Sequence, residues 1–465
     1  MANVHISVRA ALGALVLWLA LLTAGFPAYA AETERIGEVS QASGVVTAQR
    51  EGAPDRFLAK DEPIYEGDVI TTSGTGYVQL GLKDGTKLTL RPNTTFALDK
   101  LRHGAGEEAA AFRLLKGGMR ALTGLISKRN PGGAQVTTQT ATIGIRGTSF
   151  DARICENDCV QEEGRAGGVG TAAPDSSIVG RVAVITGSVS AAAREGQPRT
   201  LAYGSALFTG DSVTTGPKSN AVLVFRDESR ITVAPDSVLR LEDVRFTGPK
   251  MDGGSFFVRV AKGSVRALTG LLGKRDPKSV GVRVGTATIG IRGTGIDAGI
   301  VTSGGGGSPP VETIVVNIWQ GSVTLEAGGQ TITIGEGQSG SFQPGTNLLG
   351  LVTTPPTFID ETTTPRPDQI KVDLNNLFGT SPQTVGPGLY VAVRDGDVEL
   401  VAVGGTIVPL GNGEVGFLAV GSTTPIRISF PQFLLNDAYP LPEAGVRSLI
   451  VPLAAKPGSL ICEIN

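Results

Sequence analysis

Two aspartates, Asp151 and Asp297, each stand five residues after an arginine, Arg146 and Arg292, in two stretches that are almost the same. Paired carboxylates are the set with which glycosidases supply acid and base. Such a site would need both copies to converge on one cleft. The simpler expectation is that each aspartate meets its local arginine, Arg146 or Arg292, and holds a strand end. The two histidines are His5, in the N-terminal apolar segment, and His103, in a loop-like stretch beside Gly104 and Gly106. A Ser-His-Asp or Cys-His site would rest on His103 alone, which reads better as an exposed loop residue. One histidine with two cysteines four apart is no usual zinc set. No phosphate loop is present, and the glycines at 290, 293 and 295 run on into strand-like sequence without the helix N-terminus that phosphate binding uses. We therefore expect no enzyme, no cofactor and no metal.

Cys155 and Cys159 form a candidate disulfide in an oxidising compartment, with two reduced thiols as the alternative. Cys462 has no evident partner. The basic residues are a fuller set: Lys83, Lys87, Arg120, Lys128, Arg129 and Arg146 have basic counterparts at Arg226, Arg230, Arg266, Lys274, Arg275 and Arg292. In a strand-turn fold Arg120, Arg129, Arg146, Arg266, Arg275 and Arg292 could line one edge and receive an anionic partner, an acidic glycan or a receptor loop. Solvated turns and charge-protected strand edges are the plainer reading.

These residues are positioned by a duplication. Residues 141–148, Ala-Thr-Ile-Gly-Ile-Arg-Gly-Thr, return unchanged at 287–294. Gly37, Gly67 and Asp68 return as Gly180, Gly210 and Asp211, so a net three residues are inserted between, as in a surface loop. Apolar residues alternate with matched parity: Val78, Leu80, Leu82, Leu88 and Leu90 against Ala221, Leu223, Phe225, Ile231 and Val233. That period predicts strands with one buried face, and Asp84-Gly85 marks a hairpin. After the second copy, residues 314–325 form a hairpin unit with Gly321, and a similar one recurs around Gly396. We read the first as completing the second repeat and the other as seeding a C-terminal module. The proline- and threonine-rich stretch 352–368 predicts an extended spacer that discourages packing.

The first thirty residues carry Arg9, an uncharged apolar run and Ala28-Tyr29-Ala30, the pattern of a cleavable signal peptide. Cleavage is expected, leaving no integral membrane segment; an uncleaved anchor is the alternative. The chain holds 41 basic and 43 acidic residues, a balance that predicts no nucleic-acid partner. Its 65 glycines are dispersed through apolar segments, which points to many short strands and tight turns.

With Gly67-Asp68, the Leu82-Lys83-Asp84-Gly85-Thr86 hairpin, and Ile145-Arg146-Gly147-Thr148 followed two residues on by Phe150, the chain resembles the FecR domain, the periplasmic part of regulators that relay ferric-citrate and siderophore occupancy from outer-membrane receptors. The resemblance implies an all-β fold of tandem FecR-like domains, short strands in a solenoid-like roll (alternative: a β-sandwich), and no enzymatic activity. Family regulators keep a cytoplasmic segment and one transmembrane helix, and here only a few residues could remain inside. The expected layout is a signal peptide at 1–30, domains at 36–155 and 178–345, linkers at 156–177 and 346–368, and a small C-terminal β module at 369–465. The expected function is an exported, periplasmic or extracellular, non-catalytic binding or sensing protein with a cell-envelope protein or anionic glycan as partner. A structural or adhesive surface protein and a polysaccharide-active enzyme are the alternatives.

Overall fold

Strands Tyr77–Leu82 and Lys87–Leu90 form where the sequence alternates, and they pair antiparallel with Leu80 opposite Leu88. Asn220–Phe225 and Arg230–Val233 repeat this with Leu223 opposite Ile231. The alternating apolar side chains of both hairpins are buried. Their turns are tied by a buried aspartate, not by glycine alone. Asp84 accepts from the Thr86 amide at 3.0 Å and the Thr86 hydroxyl at 2.8 Å; Asp227 accepts from the same groups of Ser229 at the same distances. This holds the turn in the second copy, where Glu228 replaces Gly85 at a φ of +69°.

The computed structural model describes residues 34–165, 178–193, 198–303, 310–381 and 385–442, apart from single positions 105, 107, 131, 249, 251, 292, 436, 438 and 441. The expected signal segment, the stretch 166–177, the glycines at 304–307, Arg292 and Cys462 lie outside the described residues. The all-β expectation is met: the described residues form three sheets and only short helices. The second repeat has two nine-stranded sheets over one core. In the first repeat the corresponding strands belong to a single sixteen-stranded sheet, because Ala141–Cys155 runs unbroken where the second copy has Ala287–Ile291 and Gly295–Ser303.

The C-terminal β segment is present, but it does not stand apart. Strand Gly388–Ala402 pairs along Ala141–Cys155 from Ala141 opposite Ala402 to Cys155 opposite Gly388. Ile407–Gly411 and Val415–Ala419 flank it, and Ile426–Ile428 follows. The second repeat is served the same way by Val311–Gln320, Ser322–Ala327 and the strands after them. The later hairpin unit thus completes the first repeat, with the second repeat inserted in between. The junctions match: Gly396, at a φ of +82°, lies so close to Gly147 that a Cβ would be 2.6 Å from the Gly147 carbonyl, and Gly321 faces Gly293 in the second copy. Leu389, Val391, Val393, Val398, Leu400, Leu410 and Leu418 join the first repeat's core. At roughly 1.5–3 kcal/mol per buried side chain, that contribution is comparable with the whole stability of an ordinary domain.

The proline-rich segment also departs from expectation. It lies against the second repeat, accepting from Asn220 at Thr363 O (2.6 Å), from Thr232 at Pro365 O (2.9 Å) and from Arg230 at Ile370 O (2.7 Å). Thr364 is fully buried. Proline removes amide donors but leaves carbonyls, and polar side chains of the sheet recruit those carbonyls.

Candidate functional site

Each repeat encloses a buried arginine–aspartate pair at corresponding positions. Arg120 and Asp151 are directly opposite on neighbouring strands, as are Arg266 and Asp297. Arg120 Nε donates to Asp151 at 2.9 Å, Arg266 Nε to Asp297 at 3.0 Å, and all four residues are buried. Asp151 therefore meets Arg120 where Arg146 was expected from sequence, and Asp297 meets Arg266. Arg146 pairs with Glu399 at 2.7 Å. Five residues along an extended strand is too far for a local contact, whereas a cross-strand neighbour is at hand.

A third residue reaches each aspartate from a β-bulge. The register slips at Arg394 in the first repeat and at Trp319 in the second. A bulge re-aims the extra side chain: Arg394 donates to Asp151 at 2.6 and 2.9 Å, and the Trp319 indole donates to Asp297 at 3.0 Å. These residues were missed from sequence, although both fall two residues before the matching glycines Gly396 and Gly321. Burial pushes the Asp297 carboxyl above the ordinary aspartate range, against the pull of Arg266 and Trp319. For Arg120 burial opposes the charge, but Asp151 and Asp437 outweigh it and raise the guanidinium.

In both repeats a later segment covers the pair. Arg266 Nη1 donates to Thr364 O at 3.1 Å, and Arg366 lies 4.2 Å from the centre of the Trp319 ring. In the first repeat Arg120 Nη1 donates to Tyr439 O and Arg91 pairs with Asp437. Burial lowers Arg91 in spite of Asp437.

The expected cationic edge is corrected by these placements. Arg120 and Arg266 are buried and ion-paired beneath covering segments, not displayed along a strand edge. Arg129 and Arg275 are exposed, pairing with Glu108 and Asp252, and Arg146 is largely covered beside Glu399. Arg292 lies outside the described residues. His103 is exposed, 3.8 Å from Glu108. Cys155 and Cys159 are joined in a disulfide. The bond ties the end of strand Ala141–Cys155 to the first turn of the helix Asp158–Arg165, whose Asp158 and Glu162 pair with Arg153 at 2.8 and 2.6 Å.

The duplicated β-sheets, with a buried arginine–aspartate pair in each, define a repeated β scaffold. The family model described as FecR protein matches residues 68–190 and 211–324, slightly more than half the chain. The chain belongs to the FecR family. Two solved structures of a candidate anti-sigma factor from Parabacteroides distasonis ATCC 8503 are similar over 30% of this chain and 58% of theirs, at 12% identity and a TM-score of 0.23. The chain thus spans somewhat over half the length of those chains. No curated protein matches. Among the described residues no helix is long and apolar enough to cross a membrane.

Proposed function

We propose that this FecR-family chain is a non-catalytic binding or sensing protein of the cell envelope, periplasmic or extracellular, that recognises an extended segment of a partner protein by β-strand addition. The observation that carries this reading is the edge strand Leu348–Val352, which among the described residues is paired on one side only. It ends one sheet of the second repeat, contains no charge and no proline, and leaves Leu348 66% and Leu351 55% exposed. Edges of this kind are normally guarded. The corresponding strand of the first repeat, Ile426–Ile428, is covered by a bridge from Ser381 to Ile428. Main-chain hydrogen bonds from such an edge supply affinity, and the leucines supply selectivity. An anionic glycan fits less well, because Arg120 and Arg266 are enclosed.

The test is photo-crosslinking in whole cells with a reactive residue at position 348. A discrete adduct with an envelope protein is expected, abolished by Leu351→Lys in a chain that still melts cooperatively. Adduct formation unchanged by Leu351→Lys, or a chain recovered with the cytoplasmic fraction, would refute the reading.

A further inference from the structure

The duplication permits a comparison between corresponding faces of the two repeats. Around the buried pair the first repeat carries Arg91, Arg153 and Arg394, where the second carries Ala234, Gly299 and Trp319. The first face therefore presents four arginines, including Arg120, while Asp151 on its strands pairs with two of them, Arg120 and Arg394. Arg91, Arg120 and Arg153 are buried. Guanidinium groups out of water without counter-charge are strongly unfavourable, so covering segments must bring carboxylates. Helix Asp158–Arg165 brings Asp158 and Glu162, and Glu162 also stands 3.5 Å from Arg91. The C-terminal segment brings Asp437, whose side chain is 1% exposed, paired to Arg91 and 3.9 Å from Arg120.

Two residues on, Tyr439 completes the contact. Its ring lies 5.1 Å from the Arg91 guanidinium and 5.8 Å from the Tyr77 ring, while its carbonyl accepts from Arg120. The second repeat has Asn220 in place of Tyr77. Its cover is held mainly by backbone carbonyls, and its acid, Glu361, is 81% exposed at 3.5 Å from Arg266. Gly299 leaves room there for Phe358, whose ring would be 3.0 Å from an added Cβ. The first face is thus built for a carboxylate and an aromatic ring together, and the second is not.

We propose that the arginine face of the first repeat is a binding site for acidic peptides bearing a carboxylate two residues before an aromatic, and that Asp437 and Tyr439 occupy it as an intramolecular ligand. This site is separate from the Leu348–Val352 edge and does not depend on the function proposed for that edge. A tethered ligand competes at an effective concentration of about millimolar, so a free peptide binds the intact chain weakly.

The probe is a fluorescent synthetic peptide of residues 435–442, titrated into the full chain and into its Asp437→Asn and Tyr439→Ala variants. At least tenfold tighter binding to either variant than to the unaltered chain is expected, weakening with salt, and at least tenfold weaker binding when the peptide's own aspartate is replaced by asparagine. Folded variants that bind no more tightly than the unaltered chain, or equal binding of the acid-free peptide, would overturn the proposal. If neither variant folds, hydrogen exchange on the unaltered chain decides: exchange in residues 432–440 rises as peptide reaches millimolar concentration, and no rise overturns the site.

Discussion

Arg181 and Glu414 form an ion pair closed off from solvent across 233 residues of sequence, joining the start of the second repeat to the strands that complete the first. Arg181 is fully buried and also donates to Gly204 O at 2.6 Å. Glu414 accepts from the Gly411 amide at 3.0 Å and stands 3.3 Å from Arg427. Alongside, the buried Asp397 accepts from the Ala206 amide at 3.0 Å. This polar junction is where the inserted repeat is locked to its host.

Its two ends are unequal. Glu414→Gln leaves Arg181 and Arg427 facing each other without the carboxylate they share, and we expect a loss of about 3–5 kcal/mol. Arg181→Met leaves Glu414 paired with Arg427 and should cost about 1–3 kcal/mol. Urea unfolding of both variants checks the order; equal losses would contradict it.

The same junction should confer acid sensitivity. Burial works against the charged Glu414, but Arg181 and Arg427 outweigh it and hold the carboxyl below its ordinary value of 4.5. A carboxyl lowered by folding contributes stability that is complete above its unfolded value and lost as pH falls through its folded value. The Tm difference between the unaltered chain and Glu414→Gln should be widest above about pH 5 and close on further acidification. A difference constant with pH would show that the charge on Glu414 is not what stabilises the junction.

The two buried aspartates should also differ. Asp151 meets two guanidinium groups and Asp297 one guanidinium and an indole. Asp151→Asn removes the carboxylate shared by two guanidinium groups and should cost about 3–5 kcal/mol, while Asp297→Asn, which takes a partner from one guanidinium, should cost roughly half as much. Thermal melts of the two variants provide the comparison, and a larger loss for Asp297→Asn would reverse it.

Insertion of one repeat in the other predicts how fragments behave. Residues 178–370 contain both second-repeat sheets and their covering segment and should melt cooperatively alone. Residues 34–165 lack Gly388–Ala402, so their core is open along Ala141–Cys155, and they should not. Circular dichroism of the two fragments tests this, with a cooperative melt of 34–165 as the contrary result.

Much of the fold was readable because its signals are local. Alternation at Val78, Leu80 and Leu82 and turn chemistry at Asp84 depend on residues a few positions apart, and the duplication supplied a second reading of each. The buried arginines were not readable: Arg120 and Arg129 have the same side chain, and which becomes enclosed depends on which strands and covering segments lie over it. The hairpin unit around Gly396 was visible as a unit but not as the missing piece of the first repeat.

From the amino-acid order came the β class, the doubled unit, the turns and the family, since period-two burial and left-handed turn positions are properties of short stretches. Folding in three dimensions chose the partners: Ala141–Cys155 took a strand from the far end of the chain, Asp151 took Arg120 and Arg394 over Arg146, and Asp437 reached Arg91. Those choices are long-range, made by whichever surfaces bury apolar area and neutralise charge together, and no local pattern encodes them.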